Sequence, residues 1–324
     1  MDNLKSQDLS SHIRVSSGTA IVLGLLKARQ DVPPTTAYLL WDPGCRGSCS
    51  FCPRGEGNPD EERLSRVVWP EFSFDEVVAR LTTMPGCIRR ICLQTGWNPD
   101  TENVLRDLAR RLKAPGMPLC VTLHPSQSAL AEQLLQESAD QIGIGFDAAS
   151  PTTYLRHKKR PWQEDFPALC KLLEKFPGLI EIHLIYGLGD SEKTFIETME
   201  TLMMQGGAVA LFALTPTRKN TAELAPPALD SWRRIQVFRH LREQGLIAIN
   251  NCRFENDRLV SFGVPGRELR QILIDGTAFR TSGCGDCNRP FYNERPGGVW
   301  YNFPRPLTTA EARRAFLETG LSEG

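Results

Sequence analysis

A chain of 324 residues, 41% hydrophobic and 23% charged, holds enough apolar material for one large α/β barrel or two ordinary domains. With 38 basic and 38 acidic residues it has no net charge, and so no global field to draw in nucleic acid or an anionic membrane. No apolar run is long enough to span a bilayer. The most apolar early stretch, Thr19 to Ala28, lacks the basic flank and cleavage pattern of a signal peptide. The ten cysteines are therefore expected to be thiols or metal ligands in a reducing cytoplasm, not disulfides.

In chain order, "SHIRVSSGTAIVLGLLKARQ" reads as an N-terminal helix closed by "DVPP". A strand-then-helix rhythm follows. The strands are "TTAYLLWD", "IRRICLQTG", "PLCVTLH", "QIGIGFDA", "LIEIHLIYGLG", "AVALFALTP" and "LIAINNCRFE". The helices between them include "SFDEVVARLTTM", with Ser73 as N-cap, "PDTENVLRDLARRLKA", "SQSALAEQLLQESA", "FPALCKLLEKF", "SEKTFIETMETLMMQG" and "ALDSWRRIQVFRHLREQG". Most of the strands are continuous apolar runs, as when both faces are covered. About seven βα units imply an α/β fold, a partial or full TIM-like barrel of parallel strands with its chemistry at the strands' C-terminal ends. A doubly wound sheet is the alternative. This divides the chain into an N-terminal helical segment (1–35), a barrel (36–275) and an irregular C-terminal extension (276–324) rich in Gly, Pro, Arg and aromatics.

The loop after the first barrel strand, "WDPGCRGSCSFCPRGEGNPD", holds Cys45, Cys49 and Cys52. Their spacing would suit one face of a helix, but Pro43, Gly44, Gly47, Ser48, Pro53 and Gly55 make a folded loop instead. Structural zinc wants four ligands, and no fourth follows nearby. Thiolates bind a [4Fe–4S] cube one per iron. Three of them leave one iron open.

The pattern "CRGSCSFC", placed after the first strand of a βα barrel, resembles the cluster motif of the radical S-adenosylmethionine (SAM) superfamily. That resemblance implies a [4Fe–4S] cluster on Cys45, Cys49 and Cys52. Its open iron would hold SAM, and reductive cleavage would give a 5′-deoxyadenosyl radical. It further implies SAM contacts at Phe51, at Thr95 and Gly96 in "LQTGWNPD", at Asp147 in "GFDAAS", and at Tyr186, Gly187 and Gly189 in "IYGLGDSEKTF". Read alone, Asp147 would serve equally as a helix N-cap, and the glycines as a strand-to-helix turn.

The extension carries "SGCGDC", with Cys284 and Cys287 as half of a metal site. Cys92, Cys120 and Cys252, each on or beside an expected strand, are candidates for the other half. The strands "ICLQTGW" and "LCVTLHP" resemble those bearing the sacrificial-cluster cysteines of biotin synthase. Where its third would fall, this chain has Glu181 and His183. With the tail, the chain is similar to the biotin-synthase-related branch that contains one subunit of the two-component lipoyl synthases. The resemblance implies a second, sulfur-donating iron–sulfur cluster and sulfur insertion into a protein-bound octanoyl chain. The implied partners are a second radical SAM subunit, an octanoylated acceptor protein and an electron donor. Arg280 and Ser282 are candidates for a non-thiolate contact to that cluster. Two alternatives are a biotin-synthase-like enzyme acting on a small molecule, and a non-catalytic metal-binding scaffold. The basic run "RHKKRP" (Arg156 to Pro161) reads as a solvated loop, and no nucleic-acid module is visible.

Overall fold

The computed structural model describes residues 10–54, 62–216, 224–295 and 297–321. Its centre is an eight-stranded sheet. Six strands run parallel in chain order: β2 (Thr36–Trp41), β6 (Arg90–Thr95), β7 (Leu119–Leu123), β8 (Gln141–Asp147), β9 (Ile180–Tyr186) and β10 (Ala208–Ala213). Beyond β2 the sheet continues antiparallel through β1 (His12–Val15) to β5 (Glu71–Ser73). The short pair β3 (Arg63–Leu64) and β4 (Val67–Val68) follows the cysteine loop.

The strands alternate between two faces, as the pleat requires. Ala37, Leu39, Ile91, Leu93, Val121, Ile142, Ile144, Ile182 and Leu184 face outward into one apolar core. That core is completed by helices α2 (Phe74–Thr83), α3 (Glu102–Arg111), α4 (Ser128–Glu137), α6 (Trp162–Lys175), α7 (Glu192–Met204) and α8 (Leu229–Glu243). The inner face is different. Tyr38, Leu40, Trp69 and Tyr292 form a separate cluster there, with Cys92, Phe212 and Cys287 against it.

Two expectations are corrected. The N-terminal segment is not one helix. "HIRV" is a strand paired to β2 and β5, and only Ser17–Val22 (α1) is helical. Its apolar periodicity could not reveal a partner far along the chain. Nor do the described residues form a seventh parallel strand: "LIAINNCRFE" becomes a 3₁₀ turn (Ile249–Asn251) and the first strand of an antiparallel hairpin, β11 (Arg253–Glu255) with β12 (Arg258–Ser261). Ser73 does occupy the N-cap of α2, but its side chain makes no capping hydrogen bond.

The sheet does not close on itself: its edges are β10 and, beyond β2 and β1, β5. The C-terminal extension packs along the β10 edge and reaches across to β2 and β6. On one side the Leu211 N–H donates to Ser282 Oγ (2.8 Å), and Asn293 Nδ2 donates to the Ala213 carbonyl (2.6 Å). On the other, the N–H groups of Asn288 and Arg289 donate to the Tyr38 hydroxyl (3.1 and 2.7 Å), and Arg90 Nε donates to the Gly285 carbonyl (3.0 Å). Bare sheet edges invite pairing with other chains, so this segment acts as a seal. Ser282 Oγ is therefore engaged by the edge strand.

The seal carries a buried acid. Glu294 Oε1 accepts the Asn302 N–H (2.7 Å) and Oε2 the Asn293 N–H (3.2 Å), yet burial pushes its carboxyl up to about 7. The folded chain thus holds this proton more tightly than the unfolded one. Its stabilising contribution is full below the ordinary value of 4.5 and is lost as pH climbs towards about 7. Glu294→Gln should therefore lose less thermal stability than the parent between about pH 5 and about pH 8. Paired melting curves would check it, and equal losses would refute it.

Candidate active site

The cysteine loop leaves β2 at its C-terminal end, where Asp42 organises the turn. Its Oδ1 accepts the Gly44 N–H (3.0 Å), and its Oδ2 takes Arg54 Nε (2.6 Å) in a pair whose side chains are only 9% and 7% exposed. The backbone is pinned at two more points. The Arg46 N–H donates to the Trp97 carbonyl (2.8 Å), and the Ser50 N–H to the His157 carbonyl (2.9 Å). Gly96 lets the loop sit close: a Cβ there would lie 2.3 Å from Asp42 Oδ1 and 3.3 Å from the Cys45 Cβ.

This turn gathers the three thiols. The Gly47 N–H donates to Cys45 Sγ and the Arg54 N–H to Cys52 Sγ, both at 3.4 Å. Burial pushes the Cys49 thiol up, with Asp147 and Cys45 adding to it. Burial and Cys49 push Cys52 up to about 12. Buried thiols that crowd one another in this way resist ionisation until a cation compensates them, which is what an iron–sulfur cluster would supply. N–H groups already aimed at two sulfurs complete the fit. Among the described residues no three His, Cys, Asp or Glu side chains group as they would around a single ion.

The basic run is not a solvated loop. Arg156, His157 and Lys158 end α5 (Pro151–Lys158), and His157 and Lys158 are buried. His157 Nδ1 lies 2.7 Å from Ser50 Oγ. Lys158 Nζ turns into the mouth and donates to Asp147 Oδ2 and the Gly145 carbonyl, both at 2.7 Å. Burial opposes its charge, but Asp147, Cys49 and Cys52 lift its pKa above the ordinary lysine value. Sequence reasoning missed this residue; its lysine-rich company masked it. Removing it in Lys158→Met would leave the carboxylate of Asp147 in the mouth without its ion pair. The variant's reconstituted loop cluster should have a more negative reduction potential, because a fixed positive charge beside it is gone. A redox titration followed by EPR would check this, and an unshifted potential would refute it.

The other expected SAM residues divide. Phe51, Cys52 and Asp147 line one cavity of about 220 Å³ inside the barrel mouth, together with Gln94, Thr122 and His183. Asp147 sits at a positive φ of 71°, and the N-cap of α5 is Ser150. Thr95 Oγ1 donates to the Thr122 carbonyl (2.7 Å). Tyr186 faces outward, its hydroxyl 2.6 Å from Ser231 Oγ, so its side chain is directed away from the mouth. Gly187 has a φ of 115°, and a Cβ there would lie 2.9 Å from the Leu214 Cβ. Trp97 stacks on His124 with centroids 4.5 Å apart. Burial, with Lys158 and Arg160 nearby, holds that imidazole down to about 2.

Below this cavity lies a second thiol group. Cys92 and Cys120 are paired residues on β6 and β7, both inward. The seal brings Cys284 against Cys120 and Glu181. Contact with Cys284 and Cys92 raises the Cys120 thiol, while contact with Cys120 lowers Cys92. Cys287 lies 3.5 Å from the Tyr38 hydroxyl, and burial pushes it up to about 12. Cys252 does not belong here. It packs against the outer core beside Glu200 of α7. Glu181 and His183, which sequence reasoning placed only in the neighbourhood, face the inner thiols.

A three-thiol loop at the C-terminal end of the first strand of a partly open βα barrel defines a class. The Radical SAM superfamily model matches residues 41–202, and the chain belongs to that superfamily. Membership implies a [4Fe–4S] cluster and SAM. The chain is 28% identical to the biotin synthase of Cupriavidus necator over 116 residues, which is 34% of this chain and 32% of that protein. The match thus spans about a third of that relative. The FeFe-hydrogenase maturase HydG from Carboxydothermus hydrogenoformans shares the fold, with a TM-score of 0.50 and 14% identity, over 76% of this chain and 57% of its own. Methylornithine synthase (PylB) aligns over 86% of this chain and 80% of its own, with a TM-score of 0.47 and 13% identity. Among the described residues no helix is long and apolar enough to cross a membrane.

Proposed function

We propose that this chain inserts sulfur into a protein-bound octanoyl chain, as one component of a lipoyl-synthase-type system. One observation carries the reading. A single cavity has Cys52 at its mouth and Thr122 and His183 in its walls, and those two residues adjoin the inner thiols through Cys92 and Glu181. A radical generator and a sulfur source would then address the same substrate carbon from opposite ends.

Cys45, Cys49 and Cys52 would hold the cluster whose electron cleaves SAM, and the inner thiols would hold a second one whose sulfide is the sulfur source. The chain's own residues hold and shield. Ile185, Phe212 and Leu214 give the cavity apolar walls for an alkyl chain. Tyr292, anchored by Gln94 Nε2 at 3.1 Å, stands beside them, and the seal keeps water from the open side of the barrel. Asp147 and Lys158 offer paired charges at the mouth for the polar ends of SAM. The octanoylated acceptor, a second radical SAM subunit and an electron donor belong to this proposal.

The similarity to biotin synthase favours a second reading, the same chemistry on a small molecule. Mass spectrometry decides between them. The protein is incubated anaerobically with SAM, reductant, the second subunit and an octanoylated acceptor. A gain of sulfur on the acceptor is expected. SAM cleavage without such a gain would remove the lipoyl reading and leave the small-molecule one.

A further inference from the structure

Glu181 is a carboxylate only 2% exposed, on the inner face of β9. Oε1 accepts His183 Nε2–H at 3.0 Å, while Oε2 is buried with no hydrogen bond of ordinary geometry and only the Cys284 thiol beside the carboxylate. Leaving a charged oxygen so is expensive unless it is paired or coordinates a metal. The space around it is built by glycines. On β8, between β7 and β9, Gly143 has no side chain; a Cβ there would lie 2.9 Å from Thr122 Oγ1 and 3.2 Å from His183 Nε2. Gly283, at a φ of 125°, lets the seal approach so closely that a Cβ would lie 2.9 Å from Glu181 Oε2. The next residue, Cys284, is thereby set against both Glu181 and Cys120.

We propose that Glu181 is a ligand of the second iron–sulfur cluster, completing a set with Cys92, Cys120 and Cys284. The proposal rests on the reading that such a cluster occupies the inner thiols. Soft thiolates select iron–sulfur clusters, and a buried anionic oxygen at their edge can take the remaining iron. Cys287 is the competing ligand, but its sulfur is turned to the Tyr38 hydroxyl on the β2 side. Arg289 lies 4.0 Å over the Phe212 ring and supplies positive charge to Glu181 and Cys287 alike. A hard carboxylate holds iron less firmly than a thiolate does, so this iron should be the first to leave.

The full-length chain with Cys45, Cys49 and Cys52 replaced by Ala isolates the inner site. After anaerobic reconstitution with iron-57 and sulfide it should hold about four irons. Adding Glu181→Gln should lose at least one iron per chain and change the Mössbauer spectrum. Adding Glu181→Cys should keep the full count with a changed spectrum, because one iron exchanges oxygen for sulfur. An unaltered count and spectrum in Glu181→Gln, or an unaltered spectrum in Glu181→Cys, would overturn the ligand assignment alone. A parent that binds no iron and sulfide would overturn the second cluster itself, and with it the proposal.

Discussion

Replacing Cys49 with Ala should abolish reductive SAM cleavage and leave the fold intact. The loop is held by groups that do not include its sulfur: the Arg46–Trp97 and Ser50–His157 backbone bonds, and the Asp42–Arg54 pair. What the substitution removes is one of the thiols meant for the cluster. Losing even an outer partner of a ligand typically costs about 10–100-fold in metal affinity, and losing the ligand costs more. Cys45→Ala and Cys52→Ala should behave alike, because no other cysteine lies within the loop. The measurements are iron content and formation of 5′-deoxyadenosine from SAM, with circular dichroism as the control for folding. Cleavage that persists in all three variants would remove the loop from the chemistry. Cys252→Ala, in the outer core, should retain cleavage.

The largest expected loss of stability lies elsewhere, in Arg234→Ala. Arg234 and Glu192 form a bidentate pair with both contacts at 2.8 Å and side chains only 2% and 5% exposed. The carboxylate of Glu192 also accepts Ser231 Oγ–H (2.7 Å) and the Leu259 N–H (3.1 Å), and Arg234 Nη1 donates to the Thr319 carbonyl (2.7 Å). One pair thus joins α7, α8, the β11–β12 hairpin and the end of the C-terminal extension. Removing the arginine leaves a buried carboxylate without its cation, at a cost of about 3–5 kcal/mol. Denaturant unfolding should show that loss. The double variant with Glu192→Ala should lose less than the two single losses combined, since neither charge is then stranded. A loss under about 1 kcal/mol in Arg234→Ala, the size seen for exposed pairs, would mean that water reaches the network.

Much of the barrel was legible because its signal is local. Continuous apolar runs such as "TAYLLW" and "AVALFA", separated by amphipathic helices, mark strands covered on both faces. "CRGSCSFC" was legible because Gly47 and its serines, with Pro43, Gly44, Pro53 and Gly55 on its flanks, exclude a helix over a few residues. Lys158 was hidden. In sequence it is one of several adjacent cations, and only its place at the end of α5 turns it inward. "HIRV" was misread because its pairing with β2 and β5 leaves no mark within the four residues themselves.

By itself, the sequence determined the α/β class, the parallel βα rhythm and the three-thiol loop, since spacing and composition act over short distances. Tertiary structure decided the rest. Strand alternation admits either face for Cys92 and Cys120, and only the closed packing of helices on the outer face turned them inward. The sheet does not close on itself, so the distant "SGCGDC" came to lie against Cys120 and Glu181 as the extension packed along the β10 edge. A site assembled from β6, β7, β9 and the C-terminal extension rests on contacts between residues far apart in the chain, and no local pattern records which of them will meet.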